Sequence, residues 1–379
     1  MYTLNDICLL ITDGSHFSPE DEGVGYPMLS VKDMYDDYFD TKGCKHVGEA
    51  TFQKLVANGC NPQVNDVVVA KDGSFLKTAF TIKEKQDIVL LSSIAILRPK
   101  LDIIVPDYLS CFLKSDYVYR TVSLNYISGT ALKRIILKGL KKIPIEVPKL
   151  EEQQHRVNLL NVLQIIIRQR REELLKLDDL IKARFVEMFG AYPQNPMGWE
   201  ICTIRDIVTD VRYGSSRPAV DGGKYPYLRM NNITYDGELD LSDIKCIDVP
   251  DNELDKCTVR RGDVLFNRTN SKELVGKTCV YNRDEMMVLA GFVIRVRVNN
   301  RILPEFLSAF LNTDFSKQML LGMCKTAIGQ ANINARELQD IRLYLPPVEL
   351  QWRYVQFKKQ TDKSKLMKFL DIFTNQHLS

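Results

Sequence analysis

The sequence predicts an α+β chain: two tandem mixed α/β domains separated by a long antiparallel coiled coil of two helices, the whole pseudo-two-fold symmetric. Three observations predict it. A set of hydrophobic and turn residues recurs in the same order roughly 200 residues later. Each repetition closes on a proline phrase, and each is followed by a charged stretch whose apolar residues alternate at three and four positions. The boundaries read as 1–148 and 191–346 for the domains, 149–190 for a central helix and 347–379 for a C-terminal helix.

The repeat is legible phrase by phrase. Leu4-Asn5-Asp6-Ile7 returns as Ile204-Arg205-Asp206-Ile207, and Tyr26-Pro27-Met28-Leu29 as Tyr225-Pro226-Tyr227-Leu228. Pro106-Asp107-Tyr108-Leu109-Ser110 matches Pro304-Glu305-Phe306-Leu307-Ser308, and Ile143-Pro144-Ile145-Glu146-Val147-Pro148 matches Ile341-Arg342-Leu343-Tyr344-Leu345-Pro346. Surface positions mostly differ, so one fold is built twice and set to touch two different things. Within each repeat Asp66-Val67-Val68-Val69-Ala70 and Asp263-Val264-Leu265-Phe266 read as buried strands running into polar turns. Ile88–Leu91 and Phe292–Val298 are further strands, and Tyr108 and Phe306 sit in helix starts. Each domain is therefore mixed, with a mainly antiparallel sheet.

From Leu150 to Phe189 no proline or glycine interrupts a run of strong helix formers. Leu160, Leu163, Ile167, Leu174, Leu177, Ile181 and Met188 form its apolar stripe, with Arg170 and Arg184 breaking the seam. Roughly 40 residues at 1.5 Å rise make a rod of ~60 Å. After Pro346-Pro347 a second stripe follows: Trp352, Val355, Leu366, Phe369 and Phe373. Two such stripes at equivalent ends of two repeats should pack on each other.

Composition excludes more than it proposes. The chain of 379 residues carries a net charge of only +3, so any nucleic-acid surface must be a local patch. No apolar run spans a bilayer and Met1-Tyr2-Thr3 opens no signal peptide, so a cytoplasmic protein without membrane contact is expected. Nine cysteines without framework spacing read as reduced thiols. Gly276-Lys277-Thr278 lacks the earlier glycine of a phosphate loop. Asp251, Glu253 and Lys256 share one short polar stretch with no strand to array carboxylates around a metal. Cys44 with His46 is isolated, and His16, His46, His155 and His377 are scattered, so no metal site and no catalytic residue is expected.

Chemistry could sit in the loops. In the second repeat Ser215, Ser216 and Arg217, then Arg229, Asn231 and Asn232, then Arg268, Thr269 and Asn270 are candidate DNA-binding residues, with Gln330 and Asn332 beside them. Their counterparts in the first repeat are Ser15, His16 and Lys32, then Lys71 and Ser74, with Lys133 and Arg134. Arginine, asparagine and hydroxyls on turn backbone are the groups that bond phosphates and read base edges; each alone reads better as a solvated turn, and the weight lies in the set repeated in both domains.

The phrases Leu345-Pro346-Pro347-Val348-Glu349-Leu350-Gln351 and Val147-Pro148-Lys149-Leu150-Glu151-Glu152-Gln153 resemble the entry into the helices of type I restriction–modification specificity subunits. Leu177–Gly190 is similar to the end of that family's central helix, Arg261–Asn270 to its "GDiLfnRtN" stretch and Ile328–Asn334 to its "sGqaNIn" phrase. Ser128–Arg134 is a weaker version, and Gly14-Ser15-His16 departs from the Gly-Thr-Pro loop of many members. The C-terminal helix also lacks an equivalent of the Lys182–Gly190 ending. The resemblance implies a non-catalytic subunit whose two target-recognition domains each read half of a split, asymmetric site in double-stranded DNA, with the helices setting the spacer. It implies two adenine-N6 methyltransferase subunits and two motor-nuclease subunits as partners, which would hold the S-adenosylmethionine, ATP and Mg. No cofactor is expected in this chain. A specificity subunit of a methyltransferase-only or other phage-defence complex, and a coiled-coil protein-interaction scaffold, remain as alternatives.

Overall fold

The computed structural model describes residues 1–72, 78–125, 127–128, 134–327 and 330–376, with side chains described for all of these except 122–125, 127–128, 134, 325–327, 330 and 366–376. The chain divides into two compact units, Met1–Ile167 and Arg168–Ser379.

The first unit opens on Tyr2–Thr3, paired antiparallel with Pro144–Ile145. Thr3 then caps the short helix Leu4–Ile7: its amide and hydroxyl both donate to Asp6, at 2.8 and 2.7 Å, which holds that carboxyl below the usual carboxylate range. A four-stranded antiparallel sheet follows in the order Cys8–Asp13, Ile94–Pro99, Val67–Ala70, Ala79–Thr81. Val67, Val68, Val69 and Ala70 are all buried because the sheet is covered on both faces. Val67 and Val69 join one core with Leu4, Leu109 and Val157, while Val68 and Ala70 join another with Phe80 and Leu90. A three-stranded sheet, Lys45–Val47, Tyr26–Leu29, Val89–Leu90, contains one parallel pairing. Asp66 closes the strand entry by accepting from Arg98 at 2.9 and 2.8 Å.

The second unit repeats these parts. Glu200–Thr203 pairs with Arg342–Leu345, Thr203 caps Ile204–Ile207 through Asp206, and the four-stranded sheet runs Val208–Tyr213, Val293–Val298, Val264–Asn267, Thr278–Val280. Even the register shift recurs, between Cys8 and Leu10 in one sheet and between Val208 and Asp210 in the other. Asp263 and Arg297 repeat the Asp66–Arg98 pair. Among the described residues two additions distinguish this unit: Thr258–Val259 extends the second sheet to four strands, and Thr269–Asn270 joins the pair Gln330–Asn332 and Lys325–Ala327, whose counterpart in the first unit is the antiparallel pair Ile127–Ser128 and Arg134–Ile135.

A single helix, Leu150–Phe189, leads from the first unit into the second, and Val348–Gln376 forms the C-terminal helix. Both enter through the same device. Gln153 is fully buried; its Oε1 accepts from Val105 N at 2.8 Å and its Nε2 donates to Ile103 O and Pro148 O. Gln351 makes the same three bonds, to Leu303 N, Arg301 O and Pro346 O. A glutamine there satisfies three backbone groups that the chain leaves open as it turns from strand into helix.

The helix stripes fall partly as expected. Leu163, Ile167, Leu174, Leu177 and Met188 are half-buried and Ile181 is buried, but Leu160 is 39% exposed. On the C-terminal helix the expected stripe holds at Val355 and fails at Trp352. Trp352 is 54% exposed, whereas Tyr354, Val355 and Thr361 are buried. Within the second unit Phe185 and Phe189 pack their rings against Tyr354 at 5.2 and 5.7 Å. Farther along, Lys365 reaches Asp178 at 2.6 Å, so the two helices run antiparallel over this stretch. Asp362, expected as a polar residue within the seam together with Lys359, pairs with Lys358 and Lys365, and Lys365 links it to Asp178, while the Lys359 side chain is exposed. The side chains of Leu366, Phe369 and Phe373 lie outside the described residues.

Candidate nucleic-acid interface

In the second unit the central strand Val264–Asn267 delivers Arg268 at its C-terminal end. Its backbone is clamped on two sides: Arg268 N donates to Phe292 O at 3.0 Å and Ile333 N donates to Arg268 O at 2.9 Å. The guanidinium lies 4.9 Å over the Tyr213 ring, with Nη1 donating to Gly291 O at 3.3 Å and Nη2 to Asn332 Oδ1 at 3.2 Å. Tyr213 is itself fixed, because its hydroxyl accepts from Ala335 N at 2.9 Å. Gly214 then turns the chain where a Cβ would stand 2.1 Å from Leu289 O, so no larger residue fits. Arginine, tyrosine and asparagine from three segments thus meet at one surface, with Arg268 and Asn332 half-buried and Tyr213 exposed.

The corresponding place in the first unit has the same backbone and different chemistry. Gly14 makes the equivalent approach, with its Cβ position 2.0 Å from Leu90 O, and Ser15 bridges Leu91 as Ser215 bridges Ala290. Lys71 stands where Arg268 stands, but it is only 4% exposed and forms an ion pair with Asp13, the counterpart of Tyr213. His16 Nε2 lies 3.3 Å from the other oxygen of Asp13.

A model of the type I restriction–modification DNA specificity domain matches residues 1–176 and again 196–371. The chain belongs to that family. It is similar to the EcoKI specificity subunit of Escherichia coli K12, 24% identical over 365 residues, which cover 88% of this chain and 75% of that one. Its fold resembles a solved structure described as the basis of complex assembly and conformational transition of the type I R-M system. The TM-score is 0.63 at 18% identity, with 99% of this chain and 94% of that one covered. The S subunit of a type I system from M. genitalium shares the fold at a TM-score of 0.51 and 14% identity, over 99% and 92% of the two chains.

Several expected contact residues of the two specificity domains turn inward. Lys71 is buried against Asp13, so its charge is already neutralised. Asn232 is buried: it accepts from Arg229 N at 2.9 Å and donates to Asp240 O and Asp243 O, so it is a turn residue. Ser15 and Ser215 are buried, and each hydroxyl accepts from the amide two residues on, at Phe17 and Arg217. Thr269 is buried within its strand. Those five side chains have no exposed polar group to offer a duplex. Arg217 and Arg229 stay accessible but paired, with Glu253 at 2.7 Å and Asp243 at 2.8 Å. Asn270 is half-buried and accepts from Ser271 N, while His16, Lys32, Ser216 and Asn231 are exposed. Ser74 and Lys133 lie outside the described residues, as do the side chains of Arg134 and Gln330.

Tyr213 was missing from the expected set. The signal for it lay in the repeat: an exposed aromatic ending one strand, at the position where the other repeat has an acid, faces whichever cation ends the neighbouring strand. Lys277 is buried and donates to Met230 O at 3.0 Å, with burial pushing its ammonium down from the ordinary lysine value. Its amine is committed to the interior.

Proposed function

We propose that the chain is the non-catalytic specificity subunit of a type I restriction–modification complex, in which residues 1–148 and 191–346 each read one half of a split, asymmetric site in double-stranded DNA. The observation that carries this reading is the pair of equivalent loop positions with unlike chemistry, Asp13 with Lys71 against Tyr213 with Arg268. A duplicated backbone with divergent side chains at one surface suits two readers of two sequences. Residues 149–190 and 347–379 pair as a coiled coil that sets the spacing between the halves. Methyltransferase subunits dock on the outer faces of these helices and bring S-adenosylmethionine. Motor-nuclease subunits with ATP and Mg complete the restriction form.

Methylome sequencing of a methylation-free host carrying this chain with the methyltransferase of its own operon tests the reading. A bipartite, asymmetric methylated motif is expected. A continuous or single-half motif would overturn it, and restriction of unmodified phage by the full operon separates a restriction system from a methyltransferase-only complex.

A further inference from the structure

We infer that Tyr213 is a positioning residue for base recognition: its ring and Asn332 hold Arg268 as a fork for one guanine in the half-site read by the second domain. The inference rests on the DNA-reading function proposed above and assigns that domain a base, a reader and a support.

The argument begins with charge. A cation at the end of this strand is present in both repeats, and Asp13 cancels Lys71 in the first. In the second, the groups against the Arg268 guanidinium among the described residues are an aromatic face, a backbone carbonyl and an amide oxygen, none of which carries charge. The guanidinium is therefore held in place with its charge undiminished, where a carboxylate partner would have neutralised it. Donor capacity points the same way. A guanidinium has five N–H groups. One on each terminal nitrogen is used, by Gly291 O and Asn332 Oδ1, and Nε is buried without a partner. One N–H on each terminal nitrogen remains, two donors for the two acceptors, O6 and N7, of a guanine edge.

Preorganisation completes the case. An arginine on an exposed loop must be ordered on binding, at a cost in side-chain entropy. Arg268 is already ordered by contacts from Tyr213, Gly291 and Asn332, and Tyr213 is tied to Ala335 N. A lysine could take the charge but not the fork, so Arg268→Lys is not a conservative change here.

The test uses the chain in complex with its methyltransferase and reads methylation base by base across the motif. Tyr213→Leu and Arg268→Lys are expected to lose discrimination at the same single guanine of the second half-site, by about tenfold or more, with the first half-site unchanged. Tyr213→Phe keeps the ring and loses only the hydroxyl bond, so it should retain discrimination at that guanine. A structural role for Tyr213 would not produce a base-resolved loss with rescue by phenylalanine. Unchanged discrimination in Tyr213→Leu, or an equal fall at every position of the motif, would overturn the inference while leaving the bipartite reading intact. A wild-type complex that methylates no bipartite motif would overturn both.

Discussion

Lys317 sits 3.7 Å over the Tyr235 ring and donates to that residue's carbonyl at 2.7 Å. Burial pushes its ammonium down to about 8, against an ordinary lysine value of 10.5. Between those two pH values the unfolded chain holds a proton that the folded one has released. Stability therefore rises as the pH climbs from about 8 to about 10.5, and the penalty is fully present below that window. Denaturant unfolding across the window should show this slope in the wild type and lose it in Lys317→Met, since all other lysines are common to both proteins. Equal slopes in the two proteins would show that Lys317 titrates normally. Residues such as this mark the limit of what sequence patterns expose. Ser15, Ser215 and Asn232 have the composition of a binding loop, yet each spends its side chain on its own turn. A polar residue that bonds its own backbone and one that faces a duplex are chemically alike. Only the direction of the side chain separates them, and tertiary packing sets that direction.

At the scale of elements the repeat was far more legible, because burial imposes periodicity. The strands around Val67 and Val264 and the whole of Leu150–Phe189 stand where hydrophobic period puts them, and the helices expected from Tyr108 and Phe306 begin two residues earlier, at Pro106 and Pro304. The C-terminal helix shows where periodicity fails. The apolar stripe takes in buried Val355 but also exposed Trp352, and the paired polar positions include Lys358 and Lys365 beside the expected Asp362. Burial alone would lower the Lys358 ammonium, but Glu238 and Asp362 outweigh it and hold the proton above the ordinary value. The glutamine at each helix entry is the counterpart case, a polar residue whose role shows only once three backbone groups are seen around it. Gln351→Leu fills the space but strands Leu303 N, Arg301 O and Pro346 O. At about 1–3 kcal/mol for each buried group left unsatisfied, with water reaching some of them, the second unit should lose roughly 3 kcal/mol or more. Thermal unfolding of Gln351→Leu beside Gln351→Glu would measure it. A loss under about 0.5 kcal/mol, the range of an ordinary surface substitution, would mean that the glutamine is not the clamp.

On the scale of the whole molecule, the central helix is the part that belongs to both units. Val157 contributes to the core of the first, and Ile181, Phe185 and Phe189 to that of the second. Between them Ile167 lies at the boundary, clear of both cores. An insertion there should leave each domain's fold and its base reading untouched while changing the length of helix between them. Four added residues lengthen the helix by about 6 Å and overshoot a full turn by ~40°. With duplex base pairs about 3.4 Å apart, the non-specific spacer of the methylated motif should grow by roughly one or two base pairs, both half-sites keeping their bases. Each added base pair also turns the second half-site by about a tenth of a turn around the duplex, so some affinity should be lost even when the spacing follows the helix. Shifting the spacer in a series of three-, four- and seven-residue insertions separates length from rotation, since seven residues nearly restore the phase. Methylome sequencing of the series decides the matter: a motif whose spacer stays constant, or whose bases change, would mean that helix length does not set the distance between the half-sites.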